Sequence, residues 1–187
     1  ANSTDSIGIS KCLEVLESFS SEFRSVEILQ SQVNLGCKKA CVRALDWFFD
    51  NSDFGVIIED DVLVSESFIE FSSWAATEYQ DREEIWFING WSPFHRGEIL
   101  EQPWLGRIPL FWGWATWKSR WLDARKDFMA IGSENPSDLL TNMKFPRSDS
   151  FDQYWRNCFN KVKEGYDTWD YPIIYRMWKD RKSTRLN

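Results

Sequence analysis

Three consecutive carboxylates, Glu59, Asp60 and Asp61, close the short apolar run Gly55-Val-Ile-Ile58, and no other residues in the chain are as well placed to do chemistry. A wholly apolar run of that length suits a strand covered on both faces. Open α/β sheets bind ligands in the crevice beyond the carboxyl ends of their strands, so the pattern points these side chains at such a crevice. Adjacent carboxylates repel one another, and neither lysine nor arginine adjoins them in sequence. A hard divalent cation, Mn2+ or Mg2+, neutralises such a group through the oxygen ligands it prefers. Bridging a nucleotide diphosphate, it would offset charge on the leaving group. The competing reading is a strand that runs into a solvated acidic turn.

A second segment, Trp112-Gly-Trp-Ala-Thr-Trp117, has a different logic. Sugars present flat C–H faces that stack on indole rings, while their hydroxyls need directed donors and acceptors. Trp112 and Trp114, flanking a glycine, are expected to form a saccharide wall. Asn89-Gly90-Trp91 is expected to line the same pocket from the other side. Trp117 and Trp121, four apart on an incipient helix, are assigned to the core, and core packing is also the rival reading for the first pair.

The chain has one histidine, His95, and four cysteines, Cys12, Cys37, Cys41 and Cys158, without a CxxC pair. That disfavours zinc and makes a carboxylate the expected general base. The thiols read as reduced, which points to a cytoplasmic location. A net charge of −7 argues against a nucleic-acid partner. No stretch approaches the ~20 apolar residues of a membrane span, and the first residues lack the pattern of a secretory signal.

These groups need elements to hold them. Apolar residues at helical spacing predict helices over Ile9 to Phe23 and Cys37 to Phe49. Val26 to Leu29 reads as a short strand and Asn34-Leu-Gly36 as a turn. Ser65 caps a third helix through Ala76, and Glu84 to Ile88 is another strand closed by Asn89-Gly90. Beyond Trp91 the alternation weakens. Ile131 to Asp149 reads as loop-rich, Phe151 to Val162 as a helix with Asp152 at its cap, and Ile173 to Trp178 as an apolar helix. Alternating strands and helices predict the α/β class with a mainly parallel, Rossmann-like sheet flanked by helices.

Three further blocks join the acidic one: Asn34-Leu-Gly-Cys-Lys-Lys-Ala40, the helix ending Trp47-Phe-Phe49, and Asp167-Thr-Trp-Asp-Tyr171. With Val56-Ile-Ile-Glu-Asp-Asp-Val62 and Trp112 to Trp117, they resemble, in order, bacterial family-2-like glycosyltransferases of the glycosyltransferase-A fold. N-acetylglucosaminyltransferase I, with its own Glu-Asp-Asp motif, is a more distant likeness. The resemblance implies transfer of a sugar from a nucleotide-sugar donor to an acceptor hydroxyl on a saccharide or other molecule. It makes Asp61 the metal ligand, with Glu59 and Asp60 facing the ribose and the metal's water shell. It sets Asn34 and Gly36 beside the nucleotide, with Lys38 or Lys39 holding phosphate or simply solvated. Asp170 matches the family's base position, and Asp167 and Asp152 are alternatives.

The resemblance also implies a fold truncated at both ends, with a first strand before Ala1 and a last strand after Trp178. Residues 1–179 are read as one incomplete domain, with a nucleotide and metal half over 1–90 and an aromatic half over 91–179. Residues 180–187, polar and basic, read as a non-native tail outside the fold. Two rivals stay open: a non-catalytic carbohydrate-binding module, and another metal-dependent nucleotide enzyme such as a nucleotidyltransferase.

Overall fold

A computed structural model describes residues 3–91, 103–126, 131, 135–143 and 145–186; His95 lies outside them. In chain order the elements are α1 (Ser3–Phe19), a 3-10 turn (Ser20–Glu22), α2 (Gly36–Asn51), β1 (Phe54–Ile57), α3 (Glu66–Glu78) and β2 (Ile85–Asn89). There follow β3 (Trp104–Gly106), β4 (Trp114–Trp117), α4 (Lys118–Ala124), α5 (Pro136–Asn142), α6 (Asp149–Lys163), α7 (Asp170–Lys179) and β5 (Ser183–Leu186).

The expected mainly parallel sheet is not what forms. The strands lie in the order β1-β4-β2-β5-β3, and of the four pairings only β2 with β5 is parallel. Because β1 and β2 are each antiparallel to β4, they point the same way, as a strand-helix-strand crossover requires. The strand returning from residues 107–113 takes the place between them, with Ile57 opposite Trp114 on one side and Asn89 opposite Trp114 on the other. Helical residues far outnumber those in these short strands, so the doubly wound architecture is overturned as well.

The remaining differences are local. Residues 25–31 form no regular structure, so the strand expected at Val26–Leu29 is absent. α1 begins before Ile9, and it leaves Val15, Leu16 and Phe19 exposed. The segment read as loop-rich contains α5, opened by Asn135, whose side chain accepts the Ser137 N–H at 3.0 Å with Pro136 at the first turn. Ser148, not Asp152, caps α6 by accepting the Phe151 N–H at 3.2 Å, which leaves Asp152 to pair with Arg147 at 2.5 Å. Ser183–Leu186, set aside as tail, runs beside β2 and β3. Ser65 does cap α3, accepting from the Phe68 N–H.

The sheet's two faces carry two cores. On one face α2, α6 and α7 contribute Leu45, Phe49, Trp155, Phe159, Ile173 and Trp178 against Trp86, Phe87 and Trp114. On the other, Ala75 of α3 and Tyr79, which caps its C-terminus, cover Ile85, Ile88, Ala115 and Trp117. Adjacent residues of β4 thus serve opposite faces, as strand geometry demands, and all four are buried because both faces are covered. Trp117 and Trp121 both pack in the core as expected, with the Trp121 N–H donating to Asp46 at 2.8 Å. No helix among the described residues is long and apolar enough to cross a membrane.

Candidate functional site

The topology brings three chain segments to one end of the sheet. Ile57, at the carboxyl end of β1, is paired with Trp114 at the start of β4, and Asn89, at the carboxyl end of β2, is paired with Trp114 as well. Glu59-Asp60-Asp61, Gly90-Trp91 and Trp112-Gly113 therefore leave the sheet side by side. Asn89 is fully buried, and its side-chain amide donates to the Leu110 carbonyl, fixing the segment that leads to Trp112. The Gly90 N–H donates to the Gly113 carbonyl at 2.9 Å.

The acidic triplet forms a tight turn, with the Val62 N–H donating to the Glu59 carbonyl at 3.1 Å. Asp60 and Asp61 are exposed and Glu59 is half-buried. Burial pushes the Glu59 carboxyl above its ordinary range, and the charges of Asp61, Asp170 and Asp60 push it the same way. Asp170, at the start of α7, is thus close enough to be felt by the triplet across more than half the chain. Among the described residues no three His, Cys, Asp or Glu side chains converge as a ready metal cage.

The two candidate bases have different surroundings. Asp170 Oδ1 accepts the Tyr171 N–H at 2.9 Å and the hydroxyl of Thr168, while its second oxygen takes no hydrogen bond from the described residues. Asp167 spends both oxygens on the N-terminus of α2, accepting the N–H of Cys37 at 2.8 Å and of Lys38 at 3.1 Å. Asp167 thus caps a helix from a distant part of the chain, and within the Asn34–Gly36 turn the Gly36 N–H is taken by the Asn34 side chain at 2.9 Å. Gly36 has φ +73°, and a Cβ there would come within 2.4 Å of Asp167 Oδ2, so the cap itself requires glycine.

Cys41, on α2, faces the acids. Its thiol is raised to about 12, by burial first, then by the charge and hydrogen bond of Cys37, and then by Glu59 and Asp170. Lys38 is half-buried; burial lowers its amine, against the pull of Asp167.

The expected aromatic wall divides. Trp91 and Trp112 are exposed at 44% and 52%, and their rings meet edge to face at 5.0 Å. Trp114 is fully buried, stacked on Trp169 at 5.6 Å and edge-on to Phe87 at 5.5 Å, so its ring faces the core and not a ligand. Gly90 lets α3 approach, because a Cβ there would come within 2.7 Å of the Phe68 ring.

Reading the sequence missed Thr168, Cys41 and Gly113. Thr168, two positions before Asp170, carries a local signal in the tendency of hydroxyl side chains to bond nearby polar groups. Gly113 (φ +70°) packs against Val64, and Cys41 faces the acids through tertiary packing; neither has a local signature. A cavity of about 1070 Å³ between α5, α7 and Arg107 contains none of the expected residues.

No family model, curated protein or solved structure matches the chain.

Proposed function

We propose that this chain moves a sugar from a nucleotide-sugar donor to an acceptor hydroxyl, with a divalent cation at Asp61 and Asp170 as the base. The observation that carries this reading is the gathering, at one end of the sheet, of an acidic turn with an exposed tryptophan pair, and of a further carboxylate, Asp170, within reach of that turn's charge. The rival carbohydrate-binding module would use Trp91 and Trp112 alike but has no need of clustered acids. A nucleotidyltransferase would need the acids and not the tryptophans.

The donor set suits a hard cation. Two exposed carboxylates stand beside a third whose ionised form is disfavoured by burial first and then by its neighbours' like charge. Mn2+ or Mg2+ bound to a diphosphate characteristically takes one or two protein carboxylates, with phosphate oxygens and water completing the shell. Asp61 would hold the ion, with Glu59 and Asp60 acting on its water shell. A bound ion supplies charge to offset that growing on the diphosphate.

The protein's own part is orientation and proton transfer. Trp91 and Trp112 present exposed indole faces for a sugar ring. Asp170 has one oxygen fixed by Tyr171 and Thr168, which leaves the other to accept the acceptor's proton. Calorimetry with UDP or GDP and Mn2+ tests the reading. Asp61→Ala should abolish metal-dependent binding with the fold intact, and undiminished affinity in that variant would overturn it.

A further inference from the structure

The outer flank of α2 carries a groove of about 560 Å³ whose lining includes Lys39, Val42, Arg43, Trp47, Asp50 and Arg125. Lys38 and Asp46 complete its lining. Lys39 and Arg43 each stand two positions from a cysteine of the Cys37–Cys41 flank, roughly 200° around a helix of 3.6 residues per turn. The volume falls in the range of roughly 300–1,000 Å³ typical of small-molecule sites.

The groove is graded along its length. Lys39 and Arg43, both exposed and one helical turn apart, enter no ion pair among the described residues. Asp46 brings no free charge against them, because its oxygens are taken by Arg125 at 2.8 Å and by the Trp121 N–H at 2.8 Å. Val42 and the half-buried Trp47 form the apolar middle. Asp50 stands at the far end, about 10 Å along the axis from Arg43 at 1.5 Å per residue. Two cations, a flat aromatic one turn (about 6 Å) beyond, and a terminal acceptor are complementary to a molecule with an anionic head, a planar ring and a polar N–H or O–H edge. In a chain of net charge −7, that cationic end is a local exception.

We propose that this groove binds an aromatic phosphomonoester of mononucleotide size, with its phosphate between Lys39 and Arg43, its ring against Trp47 and its donor edge toward Asp50. The site owes nothing to a metal and is distinct from the acidic turn. Calorimetric titration of the whole chain with UMP in EDTA tests it. UMP is expected to bind, with uridine and inorganic phosphate each weaker by about tenfold or more, since each keeps only half of the contacts. Lys39→Ala with Arg43→Ala, both at exposed positions, should weaken UMP by about tenfold or more without moving the melting temperature. Asp61→Ala should bind UMP as the unaltered chain does. Absence of UMP binding in EDTA, or indifference to the double substitution, would overturn the assignment. So would phosphate binding as tightly as UMP, which marks a plain anion site, or loss of UMP in Asp61→Ala, which moves the nucleotide to the acidic turn.

Discussion

The carboxylate of Asp167 closes the N-terminus of α2 by accepting the Cys37 N–H at 2.8 Å, across 130 positions of chain. A carboxylate at a helix N-terminus satisfies orphan amides and complements the helix dipole. Asp167→Ala should therefore cost about 1–2 kcal/mol of stability. For a chain of this size that is a fall of roughly 2–4 °C in melting temperature per kcal/mol. Thermal melts check it. An unchanged melting temperature with lost turnover would return Asp167 to a catalytic role.

Asp170 is the opposite case, with one oxygen held and one free of the described residues. Asp170→Asn keeps an oxygen able to accept from Tyr171 and Thr168 but cannot take a proton. Under the proposed function its kcat should fall by about 10²-fold to 10⁴-fold while donor affinity holds, because a base acts on the transition state. Steady-state kinetics beside donor calorimetry separates the two effects. Loss of donor affinity with kcat preserved would remove Asp170 from the base position.

The tryptophans of the Trp-Gly-Trp segment should separate cleanly. Trp114 is fully buried, so Trp114→Ala should cost about 3–5 kcal/mol, the usual cost of emptying an aromatic's place in a core. Trp112→Ala, at an exposed ring, should leave the melting temperature near its starting value. It should also weaken sugar-dependent binding by about 1 kcal/mol, the worth of one aromatic contact. Denaturant melts paired with nucleotide-sugar titrations read both, and a Trp112→Ala chain that binds sugar unchanged would argue against the wall.

Cys41 should resist alkylation. A thiol raised to about 12 ionises only as pH climbs toward that value. Near pH 8 roughly one in 10⁴ such groups is the reactive thiolate. Cys12 and Cys37 are exposed and Cys41 is half-buried, so iodoacetamide should mark Cys12 and Cys37 before Cys41. Mass spectrometry of a time course gives the order, and Glu59→Gln should quicken Cys41 by removing one of the charges that hold its proton. Labelling of Cys41 as fast as Cys12 would show that burial and the acids do not hold its proton.

Local signals were legible where the partner lies a few residues away. Ser65 caps the helix it precedes, because a side-chain oxygen reaches a donor three positions on. The apolar runs ending at Ile57 and Asn89 are strands because they are bounded by turn residues, and the helical spacing after Gly36 yields α2. Sequence order alone also has β1, α3 and β2 in succession, with the two strands pointing the same way.

Nothing in those runs says which strand lies beside which. β4 enters between β1 and β2 after a long return, and its arrival turns an expected parallel pair into two antiparallel ones. The same event buries Trp114 and leaves Trp112, two residues earlier and beyond the ladder, exposed. The sequence by itself determined the local elements and the acidic turn at the end of a strand, since hydrophobic period and turn chemistry act over a few residues. Only the tertiary structure decided that Asp167 caps α2 while Asp170 faces Glu59, because that choice depends on bringing Asp167 to the start of a helix 130 positions away.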